Sequence, residues 1–415
     1  MKNKTGKWTL LFISVLLSFL LSSCNSTSDS GLMQDKETII NNNSITINND
    51  GSDGAEYAAS KGLRCAVSIY CAFERTTSSS FPWNPGSQTS TYYSTGSGVI
   101  YKLFENGSAF IITNHHVVYD SHSNTTNGIA KKINVYLYGL ENSSCAINAT
   151  YVGGSANYDI AVLRVDDSDI LEKAVNSGAA SAVEIGNSDD ILPGETVIAI
   201  GNPSTSDLGG LSVTKGIVSV TSEYISLTST DNTGEVSFRV VRADAPINSG
   251  NSGGGLYNNR GELMGIVNAK ISSSEIENIG YAIPSNVVSS IADNIIDYCY
   301  GTDCETVMRV ILGITVSVSN PQTYYDNENG SIVCTEDVLI YQIENNSLGK
   351  SIFITGDIVK SVSVNDKTTV INRQYQLIDS LLDARVGDNV SFVIVRNGVE
   401  TVVSLTITSD CLTAY

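Results

Sequence analysis

Three short segments of this sequence carry the residue types of a hydroxyl-based acyl-transfer site. The first contains His115 and His116, the second begins with Asp159, and the third places Ser252 between glycines. An imidazole can take the proton of a serine hydroxyl, and a carboxylate can hold the imidazole in the required tautomer. The order of the three segments therefore predicts His116 as the base, Asp159 as the orienting acid and Ser252 as the nucleophile.

The choice of base is narrow because the chain has only 3 histidines, which lie within eight positions of one another. His116 directly precedes two valines and follows the predicted strand Phe110–Thr113, which places it at the end of that strand. His115 is expected to face solvent. His122, in a loop rich in Ser and Asn, is expected to be solvated. The other interpretation of Asp159, which precedes an apolar run, is a turn residue or a cap.

Glycines around Ser252 allow the tight turn that a reactive serine needs. In the segment Gly250–Gly254, the amide groups of Gly250 and Ser252 are predicted to form an oxyanion hole. The same residues satisfy the G-x-S-x-G pattern of α/β hydrolases, but those enzymes place the histidine after the serine. No histidine follows His122 here, and a subtilisin order would require an acid from the N-terminal spacer. The order His, Asp, Ser favours the chymotrypsin arrangement.

The elements that must position these residues are mainly strands. Apolar runs separated by polar turns predict a mainly β fold in two sets of strands. The first set is Ala66–Phe73, Ser97–Tyr101, Phe110–Thr113, Ile133–Tyr138, Ala146–Gly153 and Ile160–Val165. The second set includes Val197–Ile200, Ser212–Val220, Phe238–Arg242 and Leu263–Val267. After Pro284, apolar residues at helical spacing predict an amphipathic helix that contains Val287 and Ile291.

Residues 1–24 have the pattern of an export signal. Three lysines precede the apolar run Thr9–Leu21, which is too short to span a membrane comfortably, and the segment ends at Cys24. This resembles a bacterial lipoprotein signal, in which the cysteine is lipidated after cleavage and tethers the protein to a membrane. An ordinary signal peptide or an uncleaved anchor is the alternative. Residues 25–58, rich in Asn, Ser, Asp and Gly, are predicted to be a flexible linker.

The net charge argues against a nucleic-acid partner, and the pattern of Cys and His residues argues against a metal site. A net charge of −19 makes nucleic acid an unsuitable partner. The sequence contains no C-x-x-C or H-E-x-x-H pattern and no tight His/Cys cluster, so we predict no metal site.

The sequence does not decide which cysteines pair. The chain has 8 cysteines, and without Cys24 seven remain, an odd number. An exported chain can form disulfides. Two of them, Cys65 and Cys71, cannot pair with each other on one strand, because six extended steps span about 20 Å. The candidate pairs are Cys299 with Cys304, Cys334 with Cys411, and Cys145 with either Cys65 or Cys71.

Most of residues 96–286 resemble the HtrA (Deg) family of trypsin-like serine proteases. The matching stretches are Gly96–Ile100, Thr113–Val118, Asp159–Leu163, Gly201–Pro203, Ser212–Ser219, Asp244–Gly254 and Gly280–Ser285. The resemblance implies a chymotrypsin-like double β-barrel in residues 59–300, with two six-stranded barrels and the triad in the cleft between them. The sequence departs from the family pattern at His115 and Gly255, and neither departure removes a catalytic group.

Residues 305–415 are similar to the PDZ domain that follows the protease in this family. The segment that contains Leu312, Gly313 and Ile314 resembles the carboxylate-binding loop. The resemblance implies that a C-terminal peptide adds as a strand beside Gly313–Val316 and packs against a helix near residues 373–383. A structural domain with a closed groove is the alternative.

The family also implies a biological role. It implies a serine endopeptidase that needs no cofactor, acts on unfolded or damaged extracytoplasmic proteins and assembles as a homotrimer or a multiple of it. A preference for small aliphatic side chains is implied too, with Ile266, Val267 and Asn268 lining one wall of the pocket. The family resemblance and the lipidated Cys24 together predict a protein outside the cytoplasm that is lipid-anchored to the bacterial cell membrane. The alternatives are a catalytically silent chaperone or peptide-binding lipoprotein, and a surface-interaction lipoprotein whose protease fold is incidental.

Overall fold

Two closed six-stranded barrels and a C-terminal β-rich domain make up the part of the chain that the structure describes. This computed structural model describes residues 54–78, 87–203, 210–231, 233–269, 279–302, 304–328 and 330–415. The predicted signal, residues 1–24 with Cys24, therefore lies outside the described residues.

The first barrel contains the strands predicted from the first half of the sequence. Its strands are β1 (Ala66–Ser78), β2 (Ser87–Leu103), β3 (Ala109–Thr113), β4 (Lys132–Leu137), β5 (Ile147–Ser155) and β6 (Ile160–Val165). They close in the order β1-β2-β3-β6-β5-β4. Strands β3 and β6 are almost wholly buried, which explains why their sequences are continuous apolar runs rather than alternating ones. Because β3 pairs with β6, the residues that follow β3 and precede β6 lie side by side.

The second barrel repeats this architecture. Its strands are β7 (Thr196–Gly201), β8 (Ser212–Thr228), β9 (Glu235–Ala243), β10 (Gly255–Asn258), β11 (Leu263–Val267) and β12 (Gly280–Pro284). They close in the order β10-β11-β12-β9-β8-β7. The two barrels that the family resemblance implies are therefore confirmed. Strands β10 and β12 are absent from the sequence prediction because each is short and begins with glycine, so that pairing with neighbouring strands decides their conformation.

In the described residues, five α-helices lie around the barrels and the C-terminal domain. They are α1 (Ala55–Leu63), α2 (His115–Val118), α3 (Asp169–Asn176), α4 (Ser285–Cys299) and α5 (Gln374–Ser380). Helix α4 is the predicted amphipathic helix, and its buried face includes Val287 and Ile291. None of the helices in the described part of the chain has the length and apolar composition needed to span a membrane.

Helix α1 corrects the predicted extent of the flexible linker. Residues 55–58 belong to this helix, and Ala58 is fully buried. A Cβ added at Gly62 would lie 2.5 Å from Ile200 and 3.2 Å from Tyr257, so the helix approaches the second barrel closely. Small residues at these positions allow that approach, and the buried contact orders the end of the predicted linker.

The C-terminal domain is a sheet with one helix and its own hydrophobic cluster. Its strands are β13 (Met308–Val310), β14 (Ile314–Asp326), β15 (Ser331–Ile343), β16 (Ile358–Val364), β17 (Lys367–Val370), β18 (Asn389–Arg396), β19 (Val399–Thr406) and β20 (Leu412–Ala414). The main sheet has the order β14-β15-β16-β18-β19, and β13 pairs with β20. Val338, Val362 and Phe392 are fully buried in the cluster. This arrangement, with α5 near the predicted position, is consistent with a PDZ domain.

No disulfide joins any of the candidate cysteine pairs in the part of the chain that the structure describes. Cys334 is exposed on β15, whereas Cys411 is buried in the turn after β19, where its sulfur contacts the Thr408 hydroxyl. Cys145 is likewise unpaired, and so are Cys65 and Cys71. The candidate bridge between Cys334 and Cys411 is therefore not formed in this structure, in which one thiol faces solvent and the other is buried.

Candidate active site

His116 and Asp159 form the centre of the candidate site. His116 lies in α2 directly after β3, and Asp159 lies directly before β6, so the β3–β6 pairing brings them together. The Nδ1 atom of His116 is 2.6 Å from Oδ2 of Asp159, and the His116 amide donates to Oδ1 at 2.9 Å. The carboxylate therefore contacts both the ring and the backbone of His116, which sets the orientation of the imidazole.

The backbone of Asp159 has a left-handed conformation, which is uncommon for residues other than glycine. Its φ angle is 54°, in the left-handed region that Asp adopts more readily than most residues. The amide of His115 and the side chain of Asn114 both donate to the Asp159 carbonyl, at 3.2 and 2.9 Å. These bonds hold the turn between the two strand ends and aim the carboxylate at His116.

Asp159 remains ionised despite its burial. Burial alone would raise the pKa of its carboxyl, but the charge of His116 and the two hydrogen bonds from His116 outweigh burial, so that the pKa lies below its usual value. Asn268 Nδ2 donates a further hydrogen bond to Oδ2 at 2.7 Å. A charged carboxylate in this place can stabilise a protonated imidazole.

Ser252 lies in the turn that leads into β10, between the two barrels. Its carbonyl accepts a hydrogen bond of 2.8 Å from the amide of Ser97 on β2 of the first barrel. A Cβ added at Gly96 would lie 2.6 Å from Val117 and 3.3 Å from the Ser252 carbonyl oxygen. The serine turn and the helix that carries His116 therefore both approach Gly96, which has no side chain to separate them.

The glycines of the turn are required by close backbone contacts. Gly253 has a φ angle of 84°, and a Cβ there would lie 2.1 Å from the carbonyl oxygen of Ser97. Gly250 has a φ angle of 94°, and a Cβ there would lie 2.1 Å from the carbonyl oxygen of Asn202. Its own carbonyl accepts a 2.7 Å hydrogen bond from the Ser97 hydroxyl. Any other residue at either position would strain the backbone.

The hydroxyl of Ser252 has a backbone partner in this structure. Its Oγ accepts a hydrogen bond of 3.1 Å from the amide of Ala269, just after β11. Among the described residues, no hydrogen bond joins this hydroxyl to His116. Catalytic hydrogen bonds are often long or misaligned in ligand-free enzymes, and proton transfer would require Oγ to reach Nε2 of His116.

The structure overturns the expected exposure of His115. This residue is only 6% exposed, and its Nδ1 lies 2.7 Å from the hydroxyl of Thr230, at the end of the β8–β9 hairpin. Its ring stacks on Tyr119 with centroids 4.8 Å apart. His115 therefore links α2 to the second barrel. In contrast, the His122 side chain is largely exposed, as predicted.

The predicted substrate pocket residues occupy other roles. Ile266 and Val267 lie on β11 with no exposed surface, packed in the hydrophobic clusters. The side chain of Asn268 is buried and donates to Asp159. Their burial argues against a pocket wall built from these side chains. Sequence reasoning missed Asn268 as a support for the acid, and its polar side chain directly after an apolar strand is the one signal that pointed to a buried partner.

Leu312, Gly313 and Ile314 lie in the predicted groove of the C-terminal domain. They line a cavity of about 470 Å³, together with Leu377 and Ile378 of α5. Gly313 has a φ angle of 64°, so the loop turns sharply before β14. Residues of the second barrel, Phe238 and Arg239 among them, form another wall of this cavity.

Comparisons with known proteins agree with this architecture. The family described as a trypsin-like peptidase domain matches residues 96–266. The chain is 35% identical over 320 residues to the serine protease Do-like HtrA of Bacillus subtilis (strain 168), covering 76% of this chain and 63% of that protein. It is 28% identical over 393 residues to the Do-like HtrA of Lactococcus lactis subsp. cremoris (strain MG1363), covering 91% of this chain and 87% of the relative.

A second Bacillus subtilis relative, the serine protease Do-like HtrB, is 32% identical over 76% of this chain and 62% of its own length. The chain thus spans less than two thirds of the length of these two Bacillus relatives. Among solved structures, the HtrA-type protease AlgW with a tripeptide superposes with a TM-score of 0.53 and 24% identity, covering 87% of this chain and 98% of that chain. AlgW with a decapeptide gives a TM-score of 0.51 at 23% identity, over 85% and 98%. These two superpositions support the fold.

Proposed function

Since this chain carries a trypsin-like peptidase domain and is homologous to the HtrA (Do-like) serine proteases, we propose that it is a serine endopeptidase for protein quality control. Its substrates are unfolded or damaged proteins outside the cytoplasm. The observation that carries the proposal is the contact of 2.6 Å between His116 and a buried, ionised Asp159. The Ser252 turn and the helix that carries His116 both approach Gly96.

The reaction begins when the Ser252 hydroxyl attacks the carbonyl carbon of a peptide bond. Nε2 of His116 takes the hydroxyl proton, and Asp159 stabilises the imidazolium that forms. His116 then gives the proton to the leaving amine, and an acyl-enzyme remains on Ser252. Water, deprotonated by His116, hydrolyses the acyl-enzyme and restores the serine.

The turn around Ser252 supplies the second part of the mechanism. The tetrahedral intermediate carries a negative charge on oxygen, which backbone amides can stabilise without reorganising during the reaction. In our proposal the amides of Gly250 and Ser252 form this oxyanion hole. The Ser97 hydroxyl donates a hydrogen bond of 2.7 Å to the Gly250 carbonyl, which lies in the peptide group between the two proposed amides and anchors the turn.

The C-terminal domain binds peptides in this proposal. A peptide adds as a strand beside β14, and its terminal carboxylate contacts the amides of Leu312, Gly313 and Ile314. The cavity of about 470 Å³ between this loop and α5 supports the assignment.

The remaining parts of the proposal are supported by the sequence pattern alone. Residues 1–24 direct export, and lipidated Cys24 tethers the exported chain to the bacterial cell membrane. The homologous family supports assembly as a homotrimer or a multiple of it. The site residues provide the base, the acid and the nucleophile, so the proposed reaction needs no cofactor.

A matched pair of serine variants tests the peptidase proposal. Ser252→Ala removes the nucleophile, and we expect the rate of casein cleavage to fall by about 10⁴-fold or more. Ser249→Ala changes an exposed serine of the same loop and should retain cleavage within about twofold. A fluorophosphonate probe should label the wild type at Ser252 and should leave Ser252→Ala unlabelled.

Equal casein cleavage by wild type and Ser252→Ala would contradict the proposed mechanism. If neither protein cleaves casein or takes the probe, while both suppress aggregation of an unfolded protein, the chain is the catalytically silent chaperone instead.

A further inference from the structure

Two cysteines meet where the peptidase domain leads into the C-terminal domain. Cys299 is the last residue of α4, and Cys304 follows five positions later, shortly before β13. Their sulfur atoms are 2.6 Å apart. Both thiols also lie near the carbonyl oxygen of Thr306, at 3.3 and 3.2 Å. Of the candidate pairs considered from the sequence, this is the pair that the fold brings together.

The turn between the two cysteines is held by bonds that do not involve sulfur. Gly301 has a φ angle of 76°, a conformation that ends helices and that glycine adopts without strain. The Thr302 hydroxyl donates to the carbonyl of Tyr298 at 2.7 Å and accepts from the amide of Cys304 at 3.2 Å. The backbone therefore places Cys304 beside Cys299 before any covalent bond forms.

The two thiols differ in their access to solvent. Cys299 is 2% exposed, and its sulfur lies so close to β5 that a Cβ added at Gly153 would be 3.3 Å away. Burial raises the pKa of the Cys299 thiol, and the neighbouring Cys304 raises it further. Cys304 is partly exposed. An external oxidant can therefore reach Cys304 first.

The residues after Cys304 attach the turn to the first barrel. The Glu305 carbonyl accepts a hydrogen bond of 2.9 Å from the amide of Gly154 on β5. The Glu305 carboxylate accepts another, of 2.7 Å, from the side chain of Asn127. A bond between Cys299 and Cys304 would thus fix the end of α4, the turn and the docked Glu305 as one unit.

We propose that Cys299 and Cys304 form a disulfide that staples the peptidase domain to the start of the C-terminal domain. The oxidant is a disulfide of the exported compartment, either a protein or a small molecule. The Cys304 thiolate attacks one sulfur of that disulfide and releases one thiol. The Cys299 sulfur then attacks Cys304 and releases the second thiol. Each cysteine loses one proton, and the two electrons reduce the oxidant to two thiols.

The inference uses the export in the proposed function to supply the oxidant, and it is independent of peptidase activity. The experiment starts with the full chain equilibrated with oxidised glutathione, after which iodoacetamide in denaturant blocks the free thiols, buried ones included. Denatured protein is then digested with an enzyme that cuts before aspartate. Cleavage before Asp297, Asp303 and Asp326 places Cys299 on residues 297–302 and Cys304 on residues 303–325.

We expect these two fragments to remain joined until a reductant is added. The exposed Cys334, on the fragment of residues 326–336, should carry either the alkyl label or one glutathione and should join no other fragment, so it serves as the internal control. Cys304→Ser should separate the fragments, whereas Cys334→Ser should leave them joined. We also expect Cys304→Ser to lower the melting temperature by about 2–5 °C, because the closed loop is short.

Separate fragments from the oxidised wild type, with both Cys299 and Cys304 alkylated, would overturn the inference. The readout is a mass and does not depend on catalysis. The Ser252→Ala variant should form the same bridge, so failure of the disulfide and failure of the peptidase proposal give different results.

Discussion

Asp159 is the residue on which most of the candidate site converges. Its carboxylate accepts hydrogen bonds from the ring and the amide of His116 and from the side chain of Asn268. A buried carboxylate that accepts three hydrogen bonds stays charged. It must be charged in order to stabilise the imidazolium that forms on His116 during the reaction. The proposed catalytic role of His116 thus depends on groups outside the three residues recognised from the sequence.

Asn268→Ala tests this dependence at the residue scale. The variant removes one donor from Oδ2 of Asp159, and we expect kcat for peptide cleavage to fall by about 10-fold, with a smaller change in KM. The reason is that the carboxylate becomes less firmly oriented toward His116. Steady-state kinetics with a fluorogenic peptide gives the two constants separately.

Asn268→Asp is the informative companion variant. It keeps the size of the side chain but places a second carboxylate within 2.7 Å of Asp159, where the wild type has an amide. Like charges at this distance repel, so the loss should exceed that of Asn268→Ala. A variant Asn268→Ala with unchanged kcat would show that this hydrogen bond is not needed to position the acid.

At the scale of elements, helix α4 connects the barrels to the C-terminal domain. Its apolar face packs into the hydrophobic cluster of the first barrel and reaches β11 of the second. The end of the same helix carries Cys299, and its start follows β12 directly. The helix therefore supports both barrels, and its packing should contribute directly to the stability of the peptidase domain.

Ile291→Ala measures that contribution. Ile291 is fully buried in α4, and its truncation should lower the free energy of unfolding by about 2–5 kcal/mol through the lost burial and the cavity left behind. Ile296→Ala, on the same helix but only partly buried, is the matched control and should cost about 1 kcal/mol. Urea unfolding followed by far-ultraviolet circular dichroism provides the comparison. Equal losses for both variants would contradict the packing argument.

At the scale of the whole molecule, a buried ionic contact joins the second barrel to the C-terminal domain. Arg239 of β9 lies 3.0 Å from Asp189 and 2.7 Å from Asp379 of α5. The guanidinium also lies over the ring of Tyr375, 4.2 Å from its centroid. Burial raises the pKa of the Asp379 carboxyl to about 6, although Arg239 acts in the opposite direction.

This raised pKa predicts a pH-dependent stability. Between about pH 4 and pH 6 the folded chain binds a proton at Asp379 that the unfolded chain, with a carboxyl pKa of about 3.9, releases. The stabilisation is therefore present at low pH and is lost as the pH rises through about 6. We expect the stability of wild type relative to Asp379→Asn to be lower at pH 7.5 than at pH 4.5, by about 2 kcal/mol.

Urea unfolding of both proteins at the two pH values provides the measurement. Asp410→Asn, at an exposed site of the same domain, should follow the pH profile of the wild type and is the control. A wild type and an Asp379→Asn variant with parallel profiles would show that Asp379 has an ordinary affinity for protons.

Local patterns of the sequence determined much of this molecule. The strands Ile160–Val165 and Leu263–Val267 were predicted with the bounds that the structure has, because a run of buried apolar residues between polar turns specifies a central strand. The candidate residues His116 and Asp159 were also predicted from the sequence, since His116 lies three positions after the strand that ends at Thr113 and Asp159 directly precedes Ile160–Val165. Glycines at Gly250 and Gly253 marked the turn that holds Ser252.

Contacts between distant parts of the chain were decided only by the tertiary structure. The burial of His115 depends on Thr230, and the donor role of Asn268 depends on Asp159, each more than 100 positions away. Closure of the two barrels creates both contacts, and it also decides the conformation of the short strands β10 and β12. A sequence pattern indicates whether a side chain lies on the buried or the exposed face of its strand or helix. Which residue it contacts there depends on how the strands pair and how the barrels pack.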